Sequence, residues 1–263
     1  MPTVHDDAVC IRHWDWSETS QTLTLFARRG GIVRALAKGS RRPKAPYSGG
    51  IELLTLGEAG LIIRPNSELA LLTEWDLRET FPALRRGLLA FNAGMYFADL
   101  VQRFVRDHDP HPALFDALLI ALRGLEVDPI AGVLTFQWAV LLEAGFRPTL
   151  GANGVCLVGP ASPNTLRFDP RLGGILDDPE ESGAVAPRAL GSWLVRRETV
   201  ELLRRVATSG GTDIAGDQPA RPVVLRAARL LGAYIRHILG EEPRTQPLVL
   251  GRVPGEKTDA RVR

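Results

Sequence analysis

Cysteine is nearly missing from this chain of 263 residues: Cys10 and Cys156 are the only two, far apart in sequence. Two such thiols build neither a disulfide framework nor a four-cysteine zinc site, they suit a reducing compartment, and they leave redox chemistry without a visible centre. Lysine is almost as scarce, with Lys38, Lys44 and Lys257 the exceptions among 32 basic residues that are otherwise arginine. Long apolar runs are absent too. The best, residues 130–142, has Gln137 inside it and falls well short of the ~20 residues that cross a bilayer. The opening His5, Asp6 and Asp7 are unlike the basic and then apolar pattern of a secretion leader, so the expectation is a cytoplasmic protein.

Catalytic signatures are also missing. There is no phosphate loop of the G-x-x-x-x-G-K type, no dinucleotide fingerprint and no G-x-S-x-G elbow. Gly30 with Gly31, and Gly49 with Gly50, read as turns. His108 and His111 straddle Asp109 and Pro110 in a loop, which reads as surface rather than as a metal pair. The acids Asp177, Asp178, Glu180 and Glu181 have the chemistry for magnesium, but beside Pro179 they read first as a solvated loop. A metal-dependent nuclease there is one alternative, which incubation of labelled DNA with magnesium decides.

Acid is locally absent where base is concentrated. From Thr19 to Ile51 there is no Asp or Glu, while Arg28, Arg29, Arg34, Lys38, Arg41, Arg42 and Lys44 all fall in that window. Residues 1–80 as a whole hold ten basic and ten acidic residues, so this end is polarised without being basic overall. Trp14, Trp16, Phe26 and Tyr47 lie within or beside the window. Cations that track a phosphate backbone, next to aromatic faces that stack bases of any identity, are what single-stranded nucleic acid requires. Phe26 reads more as core, and a solvated loop in an arginine-rich chain is the plain alternative for the charges.

Periodicity divides the chain. Residues 8–16, 21–28, 31–39, 51–64 and 69–78 alternate at period two, the fourth with room for a kink at Gly57 or Gly60. Five short strands in some 75 residues fit a small closed barrel, of which the OB-fold is the commonest five-stranded kind. After Phe81 the period becomes 3.6. Helices are expected over 82–105, from His111 and Pro112 to 125, over 129–144 with Asp128 as N-cap and Gly145 as stop, over 188–207, and over 222–239. Residues 146–187 and 208–220 read as irregular, the latter as a mobile loop, and 241–263, rich in proline and charge, as a flexible tail.

Three runs then carry a resemblance: A-V-C-I-R-H-W-D-W-S-E from Ala8, L-T-L-F-A-R-R-G-G-I-V-R-A-L-A-K-G-S-R-R-P-K from Leu23, and E-T-F-P-A-L-R-R-G-L from Glu79. Together with L-L-E-A-G-F-R-P from Leu141, L-R-F-D-P-R-L-G-G-I-L from Leu166 and A-R-L-L-G-A-Y-I-R-H-I-L-G from Ala228, the chain resembles the bacterial RecO family of DNA repair and recombination mediators over about residues 8–240. The resemblance implies an α+β protein. An N-terminal OB-fold barrel (1–80) would precede an α-helical domain (81–240) interrupted by a degenerate zinc-finger-like insertion (146–187). It implies no enzymatic activity. Expected instead are binding of single- and double-stranded DNA, annealing of complementary strands, and action with RecR in helping RecA displace the single-stranded DNA-binding protein. The expected DNA contacts are Arg28, Arg29, Arg34, Lys38, Arg41, Arg42, Lys44, Trp14, Trp16 and Tyr47, and localisation would be cytoplasmic and nucleoid-associated. Protein partners would find helical faces near Arg85, Arg86 and Arg103 or near Arg123.

One departure matters. Many members carry two C-x-x-C pairs, a strong structural zinc signal. Here the first survives at most as Cys156, with Gly159 or another non-ligand at its second position, and the second stands as Asp177 and Glu180. No zinc or other cofactor is therefore expected; Cys156, Asp177, Glu180 and a distant histidine form a weaker alternative set. Function has its own alternative, an OB-fold module that binds RNA or docks proteins. Comparing single-stranded DNA with RNA of equal sequence separates these, since the 2′-hydroxyl is the handle of an RNA reader.

Overall fold

The structure is a computed structural model, and it describes residues 2–42, 46–48, 51–64, 67–151, 164–175, 191–210 and 219–251. Strands β1 (Val4–Ser17), β2 (Ser20–Ala27) and β3 (Gly31–Ala37) form an antiparallel meander. A two-residue β4 (Tyr47–Ser48) follows, then β5 (Leu56–Ile62) and β6 (Ala70–Glu79), which pair antiparallel with each other while β5 also pairs with β1. β6 closes the ring by running parallel to β3, with Ala35 opposite Ala70. The order β1-β2-β3-β6-β5 is the closed five-stranded barrel expected, with the connectivity of an OB-fold. Irregularities at both Leu56/Gly57 and Gly60/Leu61 bend β5 where the kink was expected. Gly57 is required there because the Trp75 indole lies 2.4 Å from where a Cβ would stand.

Period two gives each strand one face inside the barrel and one outside. Inward go Ala8, Cys10, Leu23, Leu25 and Val33, which pack with Trp75 in a core of their own. Outward go Val9, Ile11, Phe26, Ile32 and Leu56, and these are not solvated: with Leu54 from the turn before β5 they belong to the same core as the helices. Phe26 meets Phe115 edge-on at 5.6 Å. At the hairpin, Gly31 has φ +65 and would place a Cβ 2.2 Å from the Asp109 carbonyl, so only glycine lets the helical half approach. Beside it the His108 amide donates to the Ile32 carbonyl at 3.0 Å.

The helical half builds on α1 (Ala83–Arg86), α2 (Leu88–Phe104), α3 (Pro112–Gly124) and α4 (Pro129–Glu143). The single helix expected over 82–105 is two, because Gly87 is extended at φ -146 and ψ 133. Asp128 caps α4 as expected, accepting from the Ile130 and Ala131 amides at 2.9 and 3.3 Å. Apolar on nearly every side, α4 is the central helix, and α2, α3, α5 (Arg197–Thr208) and α6 (Arg221–Leu239) surround it.

Within 146–187 the described residues are not wholly irregular. β7 (Thr165–Asp169) and β8 (Gly174–Ile175) form a hairpin, with Leu166, Phe168 and Ile175 buried. β9 (Trp193–Arg196) adds to it, which corrects the helix expected over 188–207: it starts only at Arg197. Trp193 is used in that sheet, stacked 5.6 Å from Phe168. The flexible tail expected over 241–263 is corrected within 241–251, the part of it that is described. Residues Gln246–Leu250 form α7, docked on α2 and α6. Pro247 lies in its first turn, where a missing N–H costs nothing, so a residue read as a breaker starts a helix. Gln246 is buried and accepts from the Tyr96 hydroxyl at 3.2 Å, which in turn accepts from Gln137 at 2.9 Å. The expected zinc-related positions Cys156, Gly159, Asp177 and Glu180, the acids Asp178 and Glu181, and most of the expected mobile loop (211–218) lie outside the described residues, as do 252–263.

Candidate nucleic-acid interface

The outer face of β1, β2 and β3 is not uniform along its length. Near the hairpin its cross-strand row is Val9, Phe26 and Ile32, all buried against helices. Beyond it come Arg12, Thr24 and Arg34, and then Trp14, Thr22 and Leu36. What changes the side-chain phase in β1 is a bulge: Cys10 pairs with Leu25 and Arg12 with Thr24, so Ile11 is an extra residue. Without it Arg12 and Trp14 would follow Ala8 and Cys10 into the barrel. A second irregularity between Asp15 and Ser17 holds Trp16 at the strand end, where it is 65% exposed; Trp14 is 45% exposed.

This polar half-face is one wall of a groove of about 610 Å³. Arg12, Trp14, Trp16, Thr22, Thr24 and Arg34 line it from the barrel, and Asp99, Gln102, Arg103 and Asp107 from α2 and the turn after it. An adjoining compartment of about 500 Å³ shares Arg12, Trp14, Gln102 and Arg103 and runs on to Arg244 and Thr245. The Arg12 guanidinium lies 4.4 Å from the Trp14 ring centroid and reaches the Gln102 side-chain oxygen at 3.5 Å.

Most of the basic side chains are held by carboxylates. Arg34 pairs with Asp107 at 3.2 Å, Arg41 with Asp15 at 2.5 Å, and Arg103 with Asp99 at 2.8 Å and Glu241 at 2.5 Å. The Arg34 and Arg41 pairs are exposed and worth about 0 to 1 kcal/mol, so a phosphate can displace them at little cost, whereas the Arg103–Asp99 pair is half-buried. Lys38 and Arg42 are exposed, and among the described residues neither has an ion-pair partner. Lys38, expected on a strand face with Arg34, is the first residue of the turn after β3.

The remaining expected contacts lie elsewhere. Arg28 bridges to Asp116 on α3 at 2.7 Å, and Arg29 folds back on buried Asp6, which also accepts from the Arg29 and Gly30 amides at 2.8 and 2.9 Å. Both serve the hairpin and its docking. Tyr47, expected to stack, is only 8% exposed and lies in the barrel core; its hydroxyl donates to the Leu72 carbonyl at 2.9 Å and burial pushes its pKa up. Lys44 lies outside the described residues. Sequence reasoning did not bring to this groove Arg12, legible in principle from its two-residue spacing to Trp14, nor Gln102, nor Arg103, which it placed only on a helical face for protein partners; no local pattern connects the last two to the barrel. Among the described residues no cluster of His, Cys, Asp or Glu could hold a metal ion, and no helix is long and apolar enough to cross a membrane.

Comparison with known proteins agrees over nearly the whole length. The family described as Recombination protein O N terminal matches residues 1–81, and Recombination protein O C terminal matches residues 85–247. The chain is similar to the DNA repair protein RecO of Anaeromyxobacter dehalogenans (strain 2CP-C), 31% identical over 242 residues that cover 91% of this chain and 93% of that protein. It is similar also to the DNA repair protein RecO of Rhodopirellula baltica, 30% identical over 270 residues covering 92% and 97%, and to that of Myxococcus xanthus, 28% identical over 243 residues.

Proposed function

The chain belongs to the RecO family of DNA repair proteins, and on that premise we propose that it is a recombination mediator whose barrel binds DNA on the polar half of its β1–β3 face. The observation that carries this reading is the arrangement of two exposed tryptophans, Trp14 and Trp16, beside Arg12 and Arg34 along one open groove, with Arg41 paired to Asp15 next to them and Lys38 and Arg42 exposed in the turn after β3. The rings supply sequence-tolerant stacking for a single strand, and the cations supply the salt-dependent attraction that both single- and double-stranded DNA share. Lys44 extends the same basic run in sequence.

A protein that holds two single strands on one neutralised surface lowers their mutual repulsion, and annealing follows without bond-making chemistry. The role is accordingly non-enzymatic: binding, annealing, and with RecR the loading of RecA onto DNA coated by the single-stranded DNA-binding protein, in the cytoplasm at the nucleoid. The chain works without zinc, since Cys156 is the one thiol left in the segment where a structural site needs four ligands. Annealing of complementary oligonucleotides coated with the single-stranded DNA-binding protein tests the reading: this protein should accelerate it, and no acceleration at saturating protein would refute the mediator role.

A further inference from the structure

Resting on the reading of the barrel face as a DNA surface, we infer that the groove between the barrel and α2 is a site for the unpaired bases of a single strand, with the phosphates kept outside along β3. The two walls differ in charge. On the barrel side the lining carries Arg12 and Arg34, and Lys38, Arg41 and Arg42 follow β3 in the exposed turn after it. On the helical side Asp99 and Asp107 present carboxylates, with Arg103 already paired to Asp99 and Glu241. A phosphate entering next to those acids meets like charge, whereas an uncharged base does not.

The interior suits a base. Trp14 and Trp16 offer ring faces, Thr22 and Thr24 hydroxyls, and Gln102 an amide from the opposite wall. A volume of about 610 Å³ is within the usual ~300–1,000 Å³ range of small-ligand sites. A base locked in a duplex cannot reach such a pocket without being flipped out, so the groove discriminates strands by pairing state. Duplex DNA is left with the rim cations alone. The helical domain thereby becomes a wall of the DNA site, and Gln102 a direct contact of it.

The test compares three labelled probes of equal length by fluorescence anisotropy: oligo-dT, an abasic strand with the same phosphates, and a duplex. The full-length protein should bind oligo-dT about tenfold or more tighter than the abasic strand, the size expected for loss of one or more stacked bases. Gln102→Ala and the pair Trp14→Ala with Trp16→Ala should weaken oligo-dT severalfold towards the abasic value and leave the duplex unchanged. Arg41→Ala with Arg42→Ala should weaken all three probes. Equal binding of oligo-dT and the abasic strand by the unaltered protein would overturn the inference while leaving DNA binding on the rim intact. An unchanged oligo-dT affinity in Gln102→Ala would remove α2 from the site. Failure to bind any probe would overturn the underlying reading with it. The probe comparison itself needs no variant, so a misfolded mutant cannot obscure it.

Discussion

Arg41 and Arg42 are exposed, and Lys44 follows them in the same acid-free run. Replacing all three by alanine should weaken binding to every sequence alike. It should also flatten the log–log dependence of single-strand affinity on salt by about 2, from an initial slope of roughly −3 to −4 for five phosphate contacts. Titration at several salt concentrations measures this, and an unchanged slope would place the phosphates elsewhere. Asp169 is a residue of a different kind. It is buried, and its carboxylate accepts from the Arg171 amide at 2.8 Å and the guanidinium at 2.7 Å, which with Arg171's charge holds its pKa down at about 2. A depressed carboxylate stabilises the fold fully above its unfolded pKa of about 3.9 and loses that contribution as pH falls towards 2. Between pH 5 and pH 2.5 the urea midpoint of the unaltered protein should fall more than that of Asp169→Asn. Equal falls would show that the pair does not couple to folding. At this scale Arg34 was legible as an outward residue of its strand because period two is local, while Lys38 falls in the turn just beyond the strand end. Tyr47 was not, since nothing local shows that its ring turns into the barrel and its hydroxyl meets Leu72.

Among the elements, the strands and most helices were readable because period two and period 3.6 are local signals. What escaped were the places where tertiary contact decides. Residues 193–196 pair with β7 rather than extending a helix, and α7 forms from a proline-rich stretch because Gln246, Val249 and Leu250 have somewhere to be buried. Ending the chain after Gly240 should therefore cost roughly 2 to 5 kcal/mol, from the loss of two buried aliphatic side chains and the Gln246 link to Tyr96. Ending it after Gly251 should cost little of that. Thermal unfolding of the two truncations checks the difference, and equal midpoints would mean that α7 rests on the bundle without supporting it. The bulge at Ile11 was equally hidden, and it decides which side of the barrel Arg12 and Trp14 occupy.

At the scale of the molecule, the segment that would carry a family zinc site retains one thiol, and the hairpin beside it is packed by Leu166, Phe168 and Ile175 against the helical core. Chelator treatment should then leave the melting temperature unchanged, with elemental analysis finding no near-stoichiometric zinc. A drop in melting temperature, or zinc retained through dialysis, would show that other ligands have replaced the cysteines. The barrel and the helices, distinct as periodicity showed them to be, meet through the outer faces of Val9, Ile11, Phe26 and Ile32 and through the close approach at Gly31. An excised barrel would bare that apolar seam to water and invite self-association. Topologically the chain has two parts, yet the seam gives it one heritable unit: neither half can be traded for a foreign counterpart unless the new partner reproduces the same contour, so the two must change together.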